Sequence, residues 1–171
     1  MLPDIDLRLE TISTTLRDIV LPVLPVVPVD ESLAREHVQL MIAHLAMIKA
    51  QWKHALAFEL GTYDAQRTLA RELIGALDES ALRAALDAAL RSGETLDRSD
   101  YEAVNRALKT LAALLDRAIL EHNAGAAVEP RLAAAVLAYG KREAWRYRVW
   151  FQGAGIDPDR AELPEIAALF A

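Results

Sequence analysis

Seven side chains of this sequence have the chemistry of a site yet fall where apolar residues would pack better. His37, His44 and Gln51 recur every seven residues in HVQLMIAHLAMIKAQWKHALAFEL (37 to 60), and His122, Tyr139, Glu143 and Arg146 follow later. An imidazole beside a carboxylate can move a proton, and a guanidinium can grip a carboxylate through two parallel N–H bonds. Placed on helical wheels at 100° per residue, these groups lie within or beside apolar faces. A polar group buried without a partner costs about 1–3 kcal/mol. The expectation is therefore that they converge inside the fold and satisfy one another. Two readings of such a cluster stay open: a structural hydrogen-bond network, or the lining of a polar pocket between helices.

Sharper catalytic patterns are absent. A di-metal bundle needs Glu-x-x-His on two helices, but Glu36, Glu59 and Glu143 are followed three residues on by Gln39, Thr62 and Arg146. There is no His-Glu-x-x-His, no glycine-rich phosphate loop and no Gly-x-Ser-x-Gly elbow. His37 and His44 stand two helical turns apart, about 10.5 Å, too far to chelate one ion unaided. No catalytic residue, metal site or cofactor is expected.

The elements that must position these groups read as helices throughout. Ile5, Leu9, Ile12, Leu16 and Ile19 make a narrow seam on a first helix that Pro22 ends, with PVLPVVP extended after it. Asp30 caps a second helix of some thirty residues that stops at Gly61. Thr62 opens a third helix to Gly75, and Asp78 a fourth that Gly93 closes. Ser99 with Glu102 forms a capping box for a fifth, running to Asn123. On that helix Val104, Leu108, Leu111, Leu115, Ala118 and Ile119 share a face, with His122 in line. Pro130 starts a sixth helix to Gln152, whose inner face carries Leu132, Val136, Tyr139, Tyr147 and Trp150 around Glu143 and Arg146. A short last helix spans Pro164 to Phe170. With short connections and no repeats, residues 1–171 read as one all-α domain, an antiparallel bundle of about six helices plus the short C-terminal one.

Composition narrows the function classes. A chain of 171 residues can bury roughly 70% of its unfolded surface, enough for a core without staples. It has no cysteine, which removes disulfides, thiolate metal sites and cysteine nucleophiles and fits a cytoplasmic location. Nineteen Lys and Arg against 25 Asp and Glu, a net charge of −6, argue against nucleic acid as a partner. The longest apolar run, IVLPVLPVVPV, is too short and too proline-broken to span a membrane, and the N-terminus lacks a secretory pattern. A soluble protein is expected.

Two surface features suggest partners instead. In KREAWRYRVWF (141 to 151) Tyr147 and Trp150 are expected to turn inward while Trp145 falls on the outer side. Pro22, Pro25 and Pro28 make an apolar strap that either closes the bundle or invites a partner. Together with the narrow seam of the first helix, Trp145 makes self-association plausible, and a two-fold dimer is the commonest form.

The opening LRDIVLPVLP, followed by a long apolar helix ending in Glu59, Leu60 and Gly61, resembles a group of small all-helical bacterial proteins of uncharacterised function. Their genes lie beside acyl-CoA dehydrogenases and aminoglycoside-phosphotransferase-like kinases. The resemblance covers the first third of the chain and implies an accessory role in acyl or carboxylic-acid metabolism, with no site residues carried over. The leading expectation is a non-enzymatic accessory or interaction protein that forms a homo-oligomer. The alternative is a bundle that binds a small carboxylate or acyl molecule, and third comes an enzyme using the same His/Glu/Arg cluster.

Overall fold

The computed structural model describes residues 4–28, 32–78, 80–123 and 130–171. Every regular element among them is helical, so the fold is all-α. In chain order the α-helices are α1 (Ile5–Val23), α2 (Ser32–Gln51), α3 (Ala55–Ala76), α4 (Ala81–Ser92), α5 (Tyr101–Asn123) and α6 (Pro130–Trp150). Short 3-10 segments occupy Leu24–Val26, Trp52–His54, Gln152–Ala154, Arg160–Glu162 and Ile166–Phe170. The chain divides into two compact units. The first joins residues 1–53 to 148–168, and the second joins 54–147 to 169–171. They are called here the α1–α2 unit and the α3–α6 unit.

The α3–α6 unit owes its core to apolar residues repeating at steps of three and four. Leu69, Ala70 and Leu73 of α3 meet Leu82 and Leu86 of α4, Leu111, Leu115 and Ala118 of α5, and Leu132 of α6. Tyr63 lies fully inside, its hydroxyl filling the space where a side chain on Gly93 would begin. Gly93 therefore ends α4 as expected, but at φ −69° and because a ring needs its room.

Several boundaries differ from the sequence reading. The long second helix breaks at Trp52–His54 rather than at Gly61, which lies inside α3. Thr62 likewise lies inside α3 and caps nothing. Helix α4 is capped by Ser80, whose hydroxyl accepts from the Arg83 amide at 3.2 Å, not by Asp78. The capping box gives way to Asp100, whose carboxylate accepts from the amides of Glu102 at 2.9 Å and Ala103 at 3.2 Å. Ser99 instead donates to Asp97 at 2.7 Å. A carboxylate one residue nearer the helix outcompetes a hydroxyl for the same amides. The Asp30 cap lies outside the described residues.

In the α1–α2 unit, α1 runs past Pro22 to Val23, since proline in a last turn costs only one backbone bond. Leu24–Val26 is a 3-10 turn with proline at its start, and only Val27, before Pro28, is extended. The start of α1 lies against the end of α2, so the two are antiparallel. Glu10 pairs with Lys49, Asp6 pairs with Lys53, and the Trp52 indole donates to Asp6 at 3.1 Å. Leu9 and Leu16 are half-buried and Val20 is buried along this seam. The C-terminal segment joins at the far end of α2. Gln51 donates to the Trp150 carbonyl at 2.7 Å, and Gly153 lets the backbone approach Met47. Arg148 clasps Asp157 and Asp159, and Gln152 donates to the Pro164 carbonyl at 2.9 Å. No described helix is long and apolar enough to cross a membrane.

Candidate functional site

Within the α3–α6 unit, α6 presents Tyr139, Glu143 and Arg146 at steps of four and three, which stacks them on one face. Helix α3 answers with Phe58, Thr62 and Gln66, four apart. Thr62, Gln66 and Glu143 are only 4, 4 and 5% exposed. The Thr62 hydroxyl donates to Glu143 Oε2 at 3.0 Å. Glu143 Oε1 receives the exposed Arg142 at 3.4 Å and lies 3.5 Å from Arg146 Nε, an ion pair without hydrogen-bond alignment. Arg146 spends its better-aimed nitrogen elsewhere: Nη2 donates to the Phe58 carbonyl at 2.8 Å, and the guanidinium stacks 4.8 Å above the Phe58 ring.

Gly61 makes this possible. A Cβ there would stand 2.7 and 2.8 Å from the two terminal nitrogens of Arg146. The glycine that resembled a helix stop is a slot cut into α3 for a guanidinium.

Electrostatics follow the burial. Desolvation pushes the Tyr139 phenol above its ordinary range; contact with Gln66 works the other way, and the Glu143 charge adds to the rise. Partial desolvation likewise raises Tyr147, again with Glu143 contributing, although its side chain is exposed rather than on the inner face the sequence pattern assigns it. Nearby, Glu59 accepts from the Tyr101 hydroxyl and from Asn105, both at 2.8 Å, which pushes the Tyr101 phenol up to about 12. The Gln66 carbonyl oxygen is buried without a hydrogen-bond donor.

A cavity of about 210 Å³ opens beside this network, lined by Ala65, Thr68, Glu72, Ala135, Tyr139 and Arg142 among others. That is below the ~300–1,000 Å³ of small-molecule pockets. Glu143 and Arg146 do not line it, because they are spent on Thr62 and Phe58.

Of the seven cluster residues, Tyr139, Glu143 and Arg146 stand together, but all three belong to α6, so the expected convergence from separate helices is not what joins them. His37 and His44 are corrected, since both are exposed on α2. One thirty-residue helix with a single inner face would carry both inward; on the shorter α2 it is Val38, Ile42 and Leu45 that are half-buried, and the histidines lie outside. Gln51 belongs to the α1–α2 unit, bonded to Trp150. The His122 side chain lies outside the described residues. Pro22, Pro25 and Pro28 are exposed, as is Trp145 at 44%. Among the described residues no three His, Asp or Glu side chains are grouped to hold a metal.

Thr62, Gln66, Gly61 and Phe58 were missed. Their signal was the four-residue step of polar groups facing the Tyr139–Glu143–Arg146 ladder. It was hidden by reading Gly61 and Thr62 as a helix boundary.

No family model, curated protein or solved structure matches the chain.

Proposed function

We propose that this is a non-enzymatic accessory protein that acts by associating with itself, and that the α1–α2 unit makes the contact. The observation supporting this reading is the apolar surface of that unit. Ile5, Ile12, Ile19 and Val23 of α1 and Leu33, Leu40, Met41 and Ile48 of α2 are all exposed. Soluble monomers rarely leave contiguous apolar faces of this kind uncovered. The buried Glu143 and the half-buried Arg146, by contrast, already have partners and offer a substrate little. An accessory role in acyl or carboxylic-acid metabolism, in the cytoplasm, accords with the resemblance of the first third of the chain.

Light scattering across protein concentration tests this. A mass twice that of the chain at high concentration is expected, and a monomer at every concentration overturns it. A second reading, a small carboxylate or acyl ligand, is favoured only by the cavity beside Tyr139 and Arg142. It expects a carboxylate panel to raise the melting temperature, since a ligand at 100 times its Kd adds about 2.7 kcal/mol.

A further inference from the structure

The outer face of α2 has an order of its own. Val38, Ile42 and Leu45 are half-buried along one line of the helix, which Lys49 continues to its ion pair with Glu10 of α1. Centred roughly 120° around the helix at 100° per residue lies a second stripe: Leu33, His37, Leu40, Met41, His44 and Ile48. All six are exposed, the four apolar ones by 62, 46, 51 and 50% in chain order.

Read along the helix, the stripe runs apolar, histidine, apolar, apolar, histidine, apolar, at steps of four, three, one, three and four. Reversed, it is the same. Its midpoint falls between Leu40 and Met41.

A two-fold contact requires that if one residue meets a second, the second meets the first across the axis. On two antiparallel helices any sequence meets that condition; this stripe, being the same in both directions, also sets apolar against apolar and histidine against histidine. A stripe that is its own complement in this way suits a second copy of itself.

We infer that α2 docks antiparallel on α2 of a second copy of this chain, across a two-fold axis at Leu40 and Met41. His37 then faces the partner's His44, Leu40 the partner's Met41, and Leu33 the partner's Ile48. The inference rests on the self-association reading and names the surface and register. A neutral imidazole carries both a donor and an acceptor, so facing histidines can bond. Polar residues within an apolar helix seam fix register at some cost in affinity, as leucines there would not. That gives the exposed histidines a use.

The area sets the strength. Six half-exposed side chains offer roughly 500 Å² per chain, or about 1,000 Å² in the pair, the size at which specific interfaces begin.

Sedimentation equilibrium of the full chain from about 1 to 200 µM reads this out, with circular dichroism confirming the helix content of each variant. Leu40→Glu sets a carboxylate at the axis and should weaken the dimer at least about 30-fold. The register is tested by two double variants. H37E/H44K brings opposite charges together across an antiparallel pair and should associate about tenfold more tightly than H37K/H44K, which brings like charges together. Equal weakening of both doubles overturns the antiparallel register. A wild-type dimer indifferent to Leu40→Glu and Met41→Glu overturns this surface but leaves self-association standing elsewhere. A wild-type chain monomeric throughout overturns both and assigns the face to a different occupant.

Discussion

In the α3–α6 unit, Thr62, Gln66 and Glu143 are among the most enclosed side chains, while in the α1–α2 unit isoleucines and leucines stand half in water. The contrast runs through the packing. The first has a ten-residue buried cluster drawn from four helices. The second buries only Val20, Met47, Val149 and Trp150 among its described residues, and ties its helices with exposed ion pairs. Surface pairs contribute about 0–1 kcal/mol each, whereas each fully buried aliphatic side chain contributes about 1.5–3. One unit has a buried core of its own, although Leu120 and Leu137 stand outside it, while the other leaves most of its apolar residues exposed.

The sharpest way to break that comparison is Glu143→Ala. It removes the acceptor of Thr62 and the counter-charge of Arg146, both enclosed in the α3–α6 unit. Leaving one member of a buried pair uncompensated costs about 3–5 kcal/mol. Urea denaturation should register that loss. Hydrogen exchange should locate it in α3 and α6 while amides of α1 and α2 keep their protection. A loss below ~1 kcal/mol means Arg146 finds water readily, and the unit is less closed than its burial implies.

Gly61→Ala sharpens the comparison at smaller size. Alanine inside a helix normally gains about 1 kcal/mol over glycine. Here its Cβ would press on the Arg146 guanidinium at 2.7 Å, and overpacking costs about 1–3 kcal/mol. Arg146 could swing away only by giving up the Phe58 carbonyl and the ring beneath it. A net loss of about 1 kcal/mol is expected. The same change in an Arg146→Ala background should turn stabilising, because the obstruction is gone and the propensity gain remains. If Gly61→Ala stabilises both backgrounds alike, the slot has no role.

These two residues also show what the sequence could convey. The all-α class and the face shared by Val104, Leu111, Leu115 and Ala118 were legible, because burial of a helix face leaves a 3.6-residue period in residue types. So was the inward aim of Glu143 and Arg146, since α6 is uninterrupted across them. Gly61 was not. Glycine marks helix ends and close approaches alike, and only the position of Arg146 in space separates them. The break at Trp52–His54 carries no proline or glycine to announce it. Without that break, residues 30–61 read as one helix whose inner side takes in His37 and His44. Asp100 displaced Ser99 for a reason of a few ångströms, finer than sequence spacing resolves.

Acid should separate the two units by the smallest effect, and its sign follows from the carboxylates. In the α1–α2 unit Lys53 holds Asp6 below the usual carboxylate range, Lys49 does the same for Glu10, and Arg148 for Asp157. Unfolded aspartate and glutamate titrate near pH 3.9 and 4.3. A depressed folded value means the contribution is present above that range and is lost as pH falls through the lower folded values. In the α3–α6 unit Arg98 lowers Asp64 similarly and Ser99 lowers Asp97, but neither is needed to hold α3 against α5, which the apolar core does. The α1–α2 unit should therefore loosen first on acidification. The Trp52 indole N–H resonance reports it directly, since its acceptor is Asp6. That resonance should shift at a higher pH than the Trp145 indole on α6, and Asp6→Asn should abolish the early step. If both indoles move in one transition, the units share a single stability, and the difference in how they are built has no energetic consequence.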